Sequence, residues 1–270
     1  MLKVRVLTAA LFGGLLVSAM FLLPTRPMVF IYGLICSVGA WEWSGFGALR
    51  SIVARASYTL AIVALMIAGF MLSAATQFLQ EMLALACLWW AAAFLWLSIA
   101  PQRQVSALTL GCGAIVLVPA FVALAHLQAS ERGAIRGAEL VLWLVLLVCS
   151  ADIGAFFAGS RFGRHKLAPR VSPGKTWEGV FGGLAAVALV SYIGALRLAL
   201  PVRISVLLGC GVGIFSIIGD LTESMFKRAA GLKDSGVILP GHGGLLDQID
   251  SVVAAAPLYA LGLLGSGAIR

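Results

Sequence analysis

The sequence predicts an all-α, polytopic integral membrane protein with about nine transmembrane helices. Three observations carry that reading. Apolar residues make up 61% of the 270-residue chain and charged residues only 11%, against roughly 25% charged in an average soluble domain. Mean hydropathy is +1.03. The apolar residues also gather into successive runs close to the ~20 residues that cross hydrocarbon. The net charge of +8 does not point to nucleic acid, because the basic residues lie mostly in short connectors. There the positive-inside bias and anionic lipid or phosphate account for them.

In chain order the runs fall at 6–23, 28–47, 57–75, 82–100, 106–127, 138–158, 179–198, 204–220 and 251–268. The first follows Lys3 and Arg5 and has the look of a signal peptide. It is long, however, and no small-residue cleavage site follows, so it reads as a retained span. Pro24, Pro27, Pro101 and Pro201 stand at span ends or in the connectors beside them, where a missing amide donor costs least. Pro119 falls inside the fifth run and is expected to kink it. The count becomes eight if a short carboxyl-side segment is re-entrant. Cys36, Cys87, Cys112, Cys149 and Cys210 are scattered through apolar segments without metal-like spacing.

With the amino terminus in the cytoplasm, thirteen of the 19 Lys and Arg residues fall on that side, as the positive-inside rule requires. Both charge-rich loops of the carboxyl half then face soluble nucleotide and free divalent cations. No hydrophilic linker divides the chain, so 1–270 reads as a single membrane domain. Within it, 1–137 reads mainly as scaffold and membrane-packing helices, 138–250 as the catalytic portion, and 251–268 as the final helix. The stretch 138–250 holds eight of the eleven acidic residues.

Those acids carry the chemical reading. Asp152 lies in an apolar run, where a carboxylate costs several kcal/mol unless it meets water, a metal or a basic partner. Gly154 and Gly159, with Ala151, Ala155 and Ala158, leave room for close helix approach. In the loop that follows, Ser172, Lys175 and Thr176 surround a Pro-Gly turn and combine hydroxyl and ammonium donors suited to phosphate oxygens. Walker A spacing is missing. Asp220 and Glu223 are three apart and share a helix face; Asp247 and Asp250 repeat the spacing at the start of the last span. Two such pairs suit a hard cation, Mg²⁺ first when phosphates complete the shell. Salt bridges to Lys227, Arg228 and Lys233 are the structural alternative. Gly241, Gly243 and Gly244 bracket His242 in a turn that lets amides approach a ligand. Glu42, between Trp41 and Trp43, is a further buried acid, for which a structural hydrogen bond is at least as good a reading.

Ser224-Met225-Phe226-Lys227-Arg228, then Lys233-Asp234-Ser235-Gly236, then Leu239 through Asp247 and finally Asp250 form a long ordered pattern. It resembles the phosphatidate cytidylyltransferase family, also called CDP-diacylglycerol synthases. Ser172 through Gly179 and the acidic helix around Asp152 look like other segments of that family. One position departs from it: the family's Asp-Arg-x-Asp reads here Asp247-Gln248-Ile249-Asp250. A rigid, charged fork of donors is replaced by a neutral amide, while both carboxylates remain.

The resemblance implies transfer of the cytidylyl group of CTP to phosphatidic acid, with CDP-diacylglycerol and pyrophosphate as products. It implies Mg²⁺, with K⁺ as a possible companion, a homodimer, and a bacterial cytoplasmic (inner) membrane rich in phospholipid. It casts Asp220, Asp247, Lys227 and Arg228 as catalytic. Asp220, Asp247, Asp250, Asp152 and Glu223 become metal ligands or their orienters. Ser172, Lys175, Thr176, Lys233, Asp234, His242, Gly243 and Gly244 become contacts to substrate or phosphate. Two rivals remain on the residues alone: a CTP-dependent polyprenol or lipid kinase, and an ion or lipid transporter built on the same acids.

Overall fold

A computed structural model of the chain describes residues 13–99, 106–132, 135–198, 200–239, 241 and 243–269. Within them a short apolar helix, α1 (Gly13–Leu22), precedes eight helices long and apolar enough to cross a membrane. These are α2 (Thr25–Phe46), α3 (Ile52–Leu72), α4 (Thr76–Ile99), α5 (Ser106–Ala129), α6 (Gly137–Phe162), α7 (Trp177–Arg197), α8 (Val202–Ala229) and α9 (Leu246–Gly265). The nearly all-α prediction holds: each run expected from hydropathy corresponds to a helix. For the first run this covers the part from Gly13 onward. Two antiparallel hairpins are the exceptions, β1–β2 (Glu131–Arg132, Ile135–Arg136) and β3–β4 (Lys166–Ala168, Ser172–Thr176).

Local chemistry sets several boundaries. Pro24 and Pro201 stand at the N-caps of α2 and α8, where proline's missing amide is not needed. Thr176 caps α7, its Oγ1 accepting from the Gly179 amide at 3.2 Å. Ser51 caps α3 by accepting from Ala54 N at 3.1 Å. Helix α5 runs through Pro119 and α9 through Pro257.

The largest difference from expectation is α8. Hydropathy ends the run at 220, yet the helix continues to Ala229. Hydropathy marks the residues that suit lipid, and the last turns of α8 are buried in protein instead. Phe226 lies under Trp43 and Trp96, with ring centroids 5.0 and 5.8 Å away. Trp43 is itself tied by its indole N–H to Thr109 O at 2.8 Å. Asp220 and Glu223 are therefore inside a helix rather than at its end. Likewise Pro173-Gly174 lies within β4, and the hairpin turns at 169–171, where Val171 N donates to Ala168 O at 3.1 Å.

Helices α5 and α9 are the most buried of the long helices and α3 is the least. Helices α6 and α7 form its tightest seam. A Cβ on Gly154 would come within 2.6 Å of Gly182 O, and one on Gly183 within 2.7 Å of Ala151 O. Backbones this close are the advantage of small residues where lipid offers no hydrophobic drive. The seam holds the β3–β4 hairpin between its two helices and so aims Lys175. Gly182→Leu is expected to force the helices apart and cost about 1–3 kcal/mol of overpacking. Thermal unfolding in detergent measures it, and an unchanged midpoint would show that the seam has slack.

Candidate active site

Lys175 of the β3–β4 hairpin, Asp220, Glu223 and Lys227 of α8, and Asp247 and Asp250 of α9 come together near the carboxyl end of α8. Lys175 Nζ lies 2.6 Å from Asp220 Oδ2, and Ser224 Oγ donates to Asp220 Oδ1 at 3.3 Å. One turn further along α8, Lys227 Nζ lies 2.5 Å from Asp247 Oδ1 and 3.6 Å from Glu223 Oε1. Lys227 and Glu223 are both buried. A buried ammonium between two carboxylates offsets charge that hydrocarbon would not tolerate. Asp250 follows Asp247 on the same face of α9. A Cβ on Gly219 would lie only 2.8 Å from Asp250 O, so the glycine beside Asp220 lets α8 and α9 bring their acids together.

Asp247 is held from both sides. While Oδ1 takes Lys227, Oδ2 accepts from the amides of Ser235 (2.9 Å) and Gly244 (2.8 Å). Those amides belong to the loop joining α8 and α9, and the loop is in turn gripped by Glu42 from α2. The Glu42 carboxylate accepts from Ser235 Oγ at 3.0 Å, Leu245 N at 3.1 Å and Leu246 N at 2.7 Å. It is 2% exposed. The hydrogen bonds named here come from neutral donors, two of them at the start of α9, where exposed amides and the helix dipole favour an anion. Glu42 thus caps α9 from another helix, because the N-cap residue, Leu245, makes no side-chain cap of its own. Gly243, at φ +85°, completes the turn, and a Cβ there would meet Asp247 Oδ2 at 2.6 Å.

Glu42→Gln keeps the shape but turns one acceptor into a donor facing donors. About 1–3 kcal/mol of destabilisation is expected from the unsatisfied groups, more than for an exposed acid. Thermal unfolding of the variant in detergent is the measurement, and a melting curve matching the parent's would contradict the capping role.

Asp152, Asp220, Lys227, Asp247 and Asp250 share the wall of one cavity of about 490 Å³, with Gln248 also at its edge. The other expected site residues distribute differently. Thr176 serves as a helix cap, and Ser172 is half-buried at the start of β4. Arg228 is exposed and donates to Leu232 O at 3.2 Å, closing its own loop. Lys233 and Asp234 are exposed on that loop. The Gly244 amide serves Asp247. His242 lies outside the described residues.

Asp, Glu and phosphate oxygens are the donors that Mg²⁺ prefers, and the carboxylates of this cavity meet that requirement. Among the described residues, no group of three or more His, Cys, Asp or Glu side chains forms a ready-made metal cage. The fit is therefore to a cation held by one or two carboxylates and completed by phosphates and water, as Mg²⁺ commonly is. Asp220 and Asp247 each carry an ammonium group in direct contact, Lys175 and Lys227 respectively.

Sequence reasoning gave Glu42 no preference over an ordinary hydrogen-bonded acid. Its signal was a lone carboxylate between two tryptophans, and nothing in that pattern names Ser235 or Leu246 as partners. Ser235 itself carried no separate signal.

A profile of the cytidylyltransferase family matches residues 3–264 of the chain. A phosphatidate cytidylyltransferase of Pseudomonas aeruginosa is 40% identical over 286 aligned positions, covering 99% of this chain and 98% of that protein. One from Haemophilus influenzae is 34% identical, covering 96% and 98%. The similarity thus runs through the scaffold helices as well as through the lysine–carboxylate cluster, and on that extent the chain belongs to the cytidylyltransferase family.

Proposed function

We propose that this membrane enzyme transfers the cytidylyl group of CTP to phosphatidic acid, releasing pyrophosphate and leaving CDP-diacylglycerol in the bilayer. The observation that carries the reading is the cavity whose wall brings together Asp152, Asp220, Asp247, Asp250 and Lys227. Full-length similarity to phosphatidate cytidylyltransferases supports the same substrates. The end of the bundle bearing this cavity is proposed to face the cytoplasm, where CTP is available.

An oxygen of the phosphatidate monoester attacks the α-phosphorus of CTP, the bond from that phosphorus to the bridging oxygen breaks, and pyrophosphate departs with the electron pair. The nucleophile is already anionic, so no Ser-His-Asp arrangement is needed. The main obstacles are alignment and repulsion between two phosphates. Asp220 and Asp247 would hold Mg²⁺, with K⁺ as a possible companion, and the cation would supply positive charge that offsets the charge of the leaving pyrophosphate. Lys175 and Lys227 lie against those same carboxylates. Exchange of a carboxylate for a phosphate oxygen would let each ammonium clamp a substrate. Glu223, 3.6 Å from Lys227, helps hold that ammonium in place, while Asp152 and Asp250 add carboxylates to the cavity wall. Glu42 acts only through the loop that aims Asp247.

The test is purified protein in lipid vesicles with labelled CTP, phosphatidic acid and varied Mg²⁺. Labelled liponucleotide with stoichiometric pyrophosphate is expected. CDP together with a newly phosphorylated lipid would instead identify a lipid kinase, and flux across the vesicle without nucleotide consumption a transporter. Either would sink the proposal.

A further inference from the structure

The α6–α7 seam carries an open groove that shares no residue with the wall of the active-site cavity. Its apolar part is lined by Gly154, Phe157 and Ala158 of α6 and Gly182 of α7, and ends at Arg161 and Phe162. The same Arg161 and Phe162 begin a polar part, which continues past Arg164 and His165 to Glu178. The two parts hold about 570 and 400 Å³. Phe157 and Phe162 are 66% and 65% exposed, and Trp177 at the start of α7 is 47% exposed.

Positive charge on this face lacks a protein counterpart. Arg161, Arg164, Lys166 and Arg170 are all exposed, and among the described residues none of them meets a carboxylate. Glu178, the acid in the groove wall, is already engaged. Both of its oxygens accept from His165 N at 3.2 Å, and Oε1 lies 2.7 Å from His165 Nδ1. Arg161 stands in the last turn of α6, where a spanning helix passes from hydrocarbon to headgroups. Exposed aromatic rings favour that same level. Charges that serve only to fix topology need no groove between them. Guanidinium forks match phosphate oxygens, and the Gly154–Phe157–Ala158 floor matches hydrocarbon. The ligand complementary to both parts is an anionic lipid.

We propose that this groove binds an anionic phospholipid of the surrounding leaflet, at a site separate from the one where the substrate reacts. Arg161 and Arg164 hold its phosphate, and one of its chains lies against Gly154, Phe157 and Ala158. Lys166 and Arg170 extend the attraction over the hairpin toward neighbouring headgroups. The position couples the lipid to the active site. Lys166 pairs with Thr176 across β3–β4, and the residue before Thr176 is Lys175, which reaches Asp220. Trp177 N donates to His165 O at 2.9 Å, so the strand entering the hairpin and the one leaving it are tied together at the groove. A lipid fastened to Arg164 therefore steadies the hairpin that aims Lys175. Resting on the proposed function, its occupancy raises the rate of liponucleotide formation, and the enzyme responds to the anionic lipid content of its membrane.

Binding is measured first, on the full-length protein. Native mass spectrometry after release from nanodiscs of mixed phosphatidylglycerol and phosphatidylcholine is expected to show phosphatidylglycerol retained in preference. That preference is expected to fall about tenfold in the double variant Arg161→Gln/Arg164→Gln. In the parent protein, hydrogen exchange along 164–176 is expected to slow when phosphatidylglycerol is added to phosphatidylcholine nanodiscs. No preference in the parent, or the same preference in the double variant, would overturn the site. So would dimers that survive delipidation and cross-link through Phe157 and Phe162, since the groove would then be an interface between copies. Should the double variant fail to accumulate, the exchange measurement decides, and unchanged exchange along 164–176 overturns the site. With phosphatidate held at a low fixed fraction, phosphatidylglycerol is expected to raise the initial rate severalfold in the parent and little in the double variant. Equal rates in both membranes would overturn the coupling to Lys175. A protein that makes no liponucleotide in any membrane defeats the proposed reaction, while retention and exchange still decide the groove.

Discussion

Asp247→Asn is expected to lower liponucleotide formation by about 10²–10³-fold, the scale on which loss of one well-placed electrostatic group reduces catalysis. The substitution changes little in volume and much in bonding. Oδ1 now lies 2.5 Å from the Lys227 ammonium, and Oδ2 accepts two backbone amides at 2.9 and 2.8 Å. Whichever way an asparagine amide is turned, its NH₂ faces donors, and the charge that balances Lys227 is gone. The α8–α9 loop therefore loses an anchor at the moment the site loses a carboxylate proposed to hold the cation. Rates are measured under saturating CTP with Mg²⁺ titrated over a wide range. Near-parent turnover at limiting Mg²⁺ would remove Asp247 from the mechanism. Asp247→Glu separates charge from reach, since it restores the anion on a longer stem and should recover only part of the rate.

Lys227→Met carries the second large effect, and it falls on stability as well as turnover. The ammonium lies within 2.5 Å of Asp247 and 3.6 Å of Glu223, and the lysine is 8% exposed. Methionine keeps the length and apolar stem but leaves the buried Glu223 and the largely buried Asp247 unbalanced. Removing one partner of a buried ion pair typically costs about 3–5 kcal/mol. The unfolding midpoint in detergent is expected to fall sharply, and added Mg²⁺ is expected to recover part of the loss by occupying the same acids. If the midpoint falls and Mg²⁺ restores none of it, the cluster is an ion-pair network with no cation role. If the midpoint does not move, Glu223 and Asp247 have another source of compensation.

How much of this was legible beforehand differs by element. Helices α2 to α7 and α9 follow directly from apolar runs near spanning length. The final turns of α8 do not, because Asp220, Glu223, Lys227 and Arg228 lower hydropathy while the helix continues in a protein-lined environment. The pairing of Asp247 with Lys227 was available as an alternative to metal ligation, and the geometry allows both uses of the same carboxylate. Thr176 was read as a phosphate contact from its hydroxyl, and its hydroxyl is engaged in capping α7. The Ser/Thr-x-x start of a helix is a local signal that explains it equally well.

The linear chain alone determined that this is a membrane protein, where its spans run, and which acidic and basic side chains have to be protected from lipid. Those are consequences of composition along short stretches, where free energy of transfer depends on each residue's own surface. Tertiary structure decided which charges meet. Glu42 reaches Ser235 from 193 residues away, Lys175 crosses from a hairpin to Asp220, and the wall of the cavity is shared by helices scattered through the sequence. Contacts and cavities of that kind arise from how whole helices pack against one another, and no window along the chain contains both sides of them.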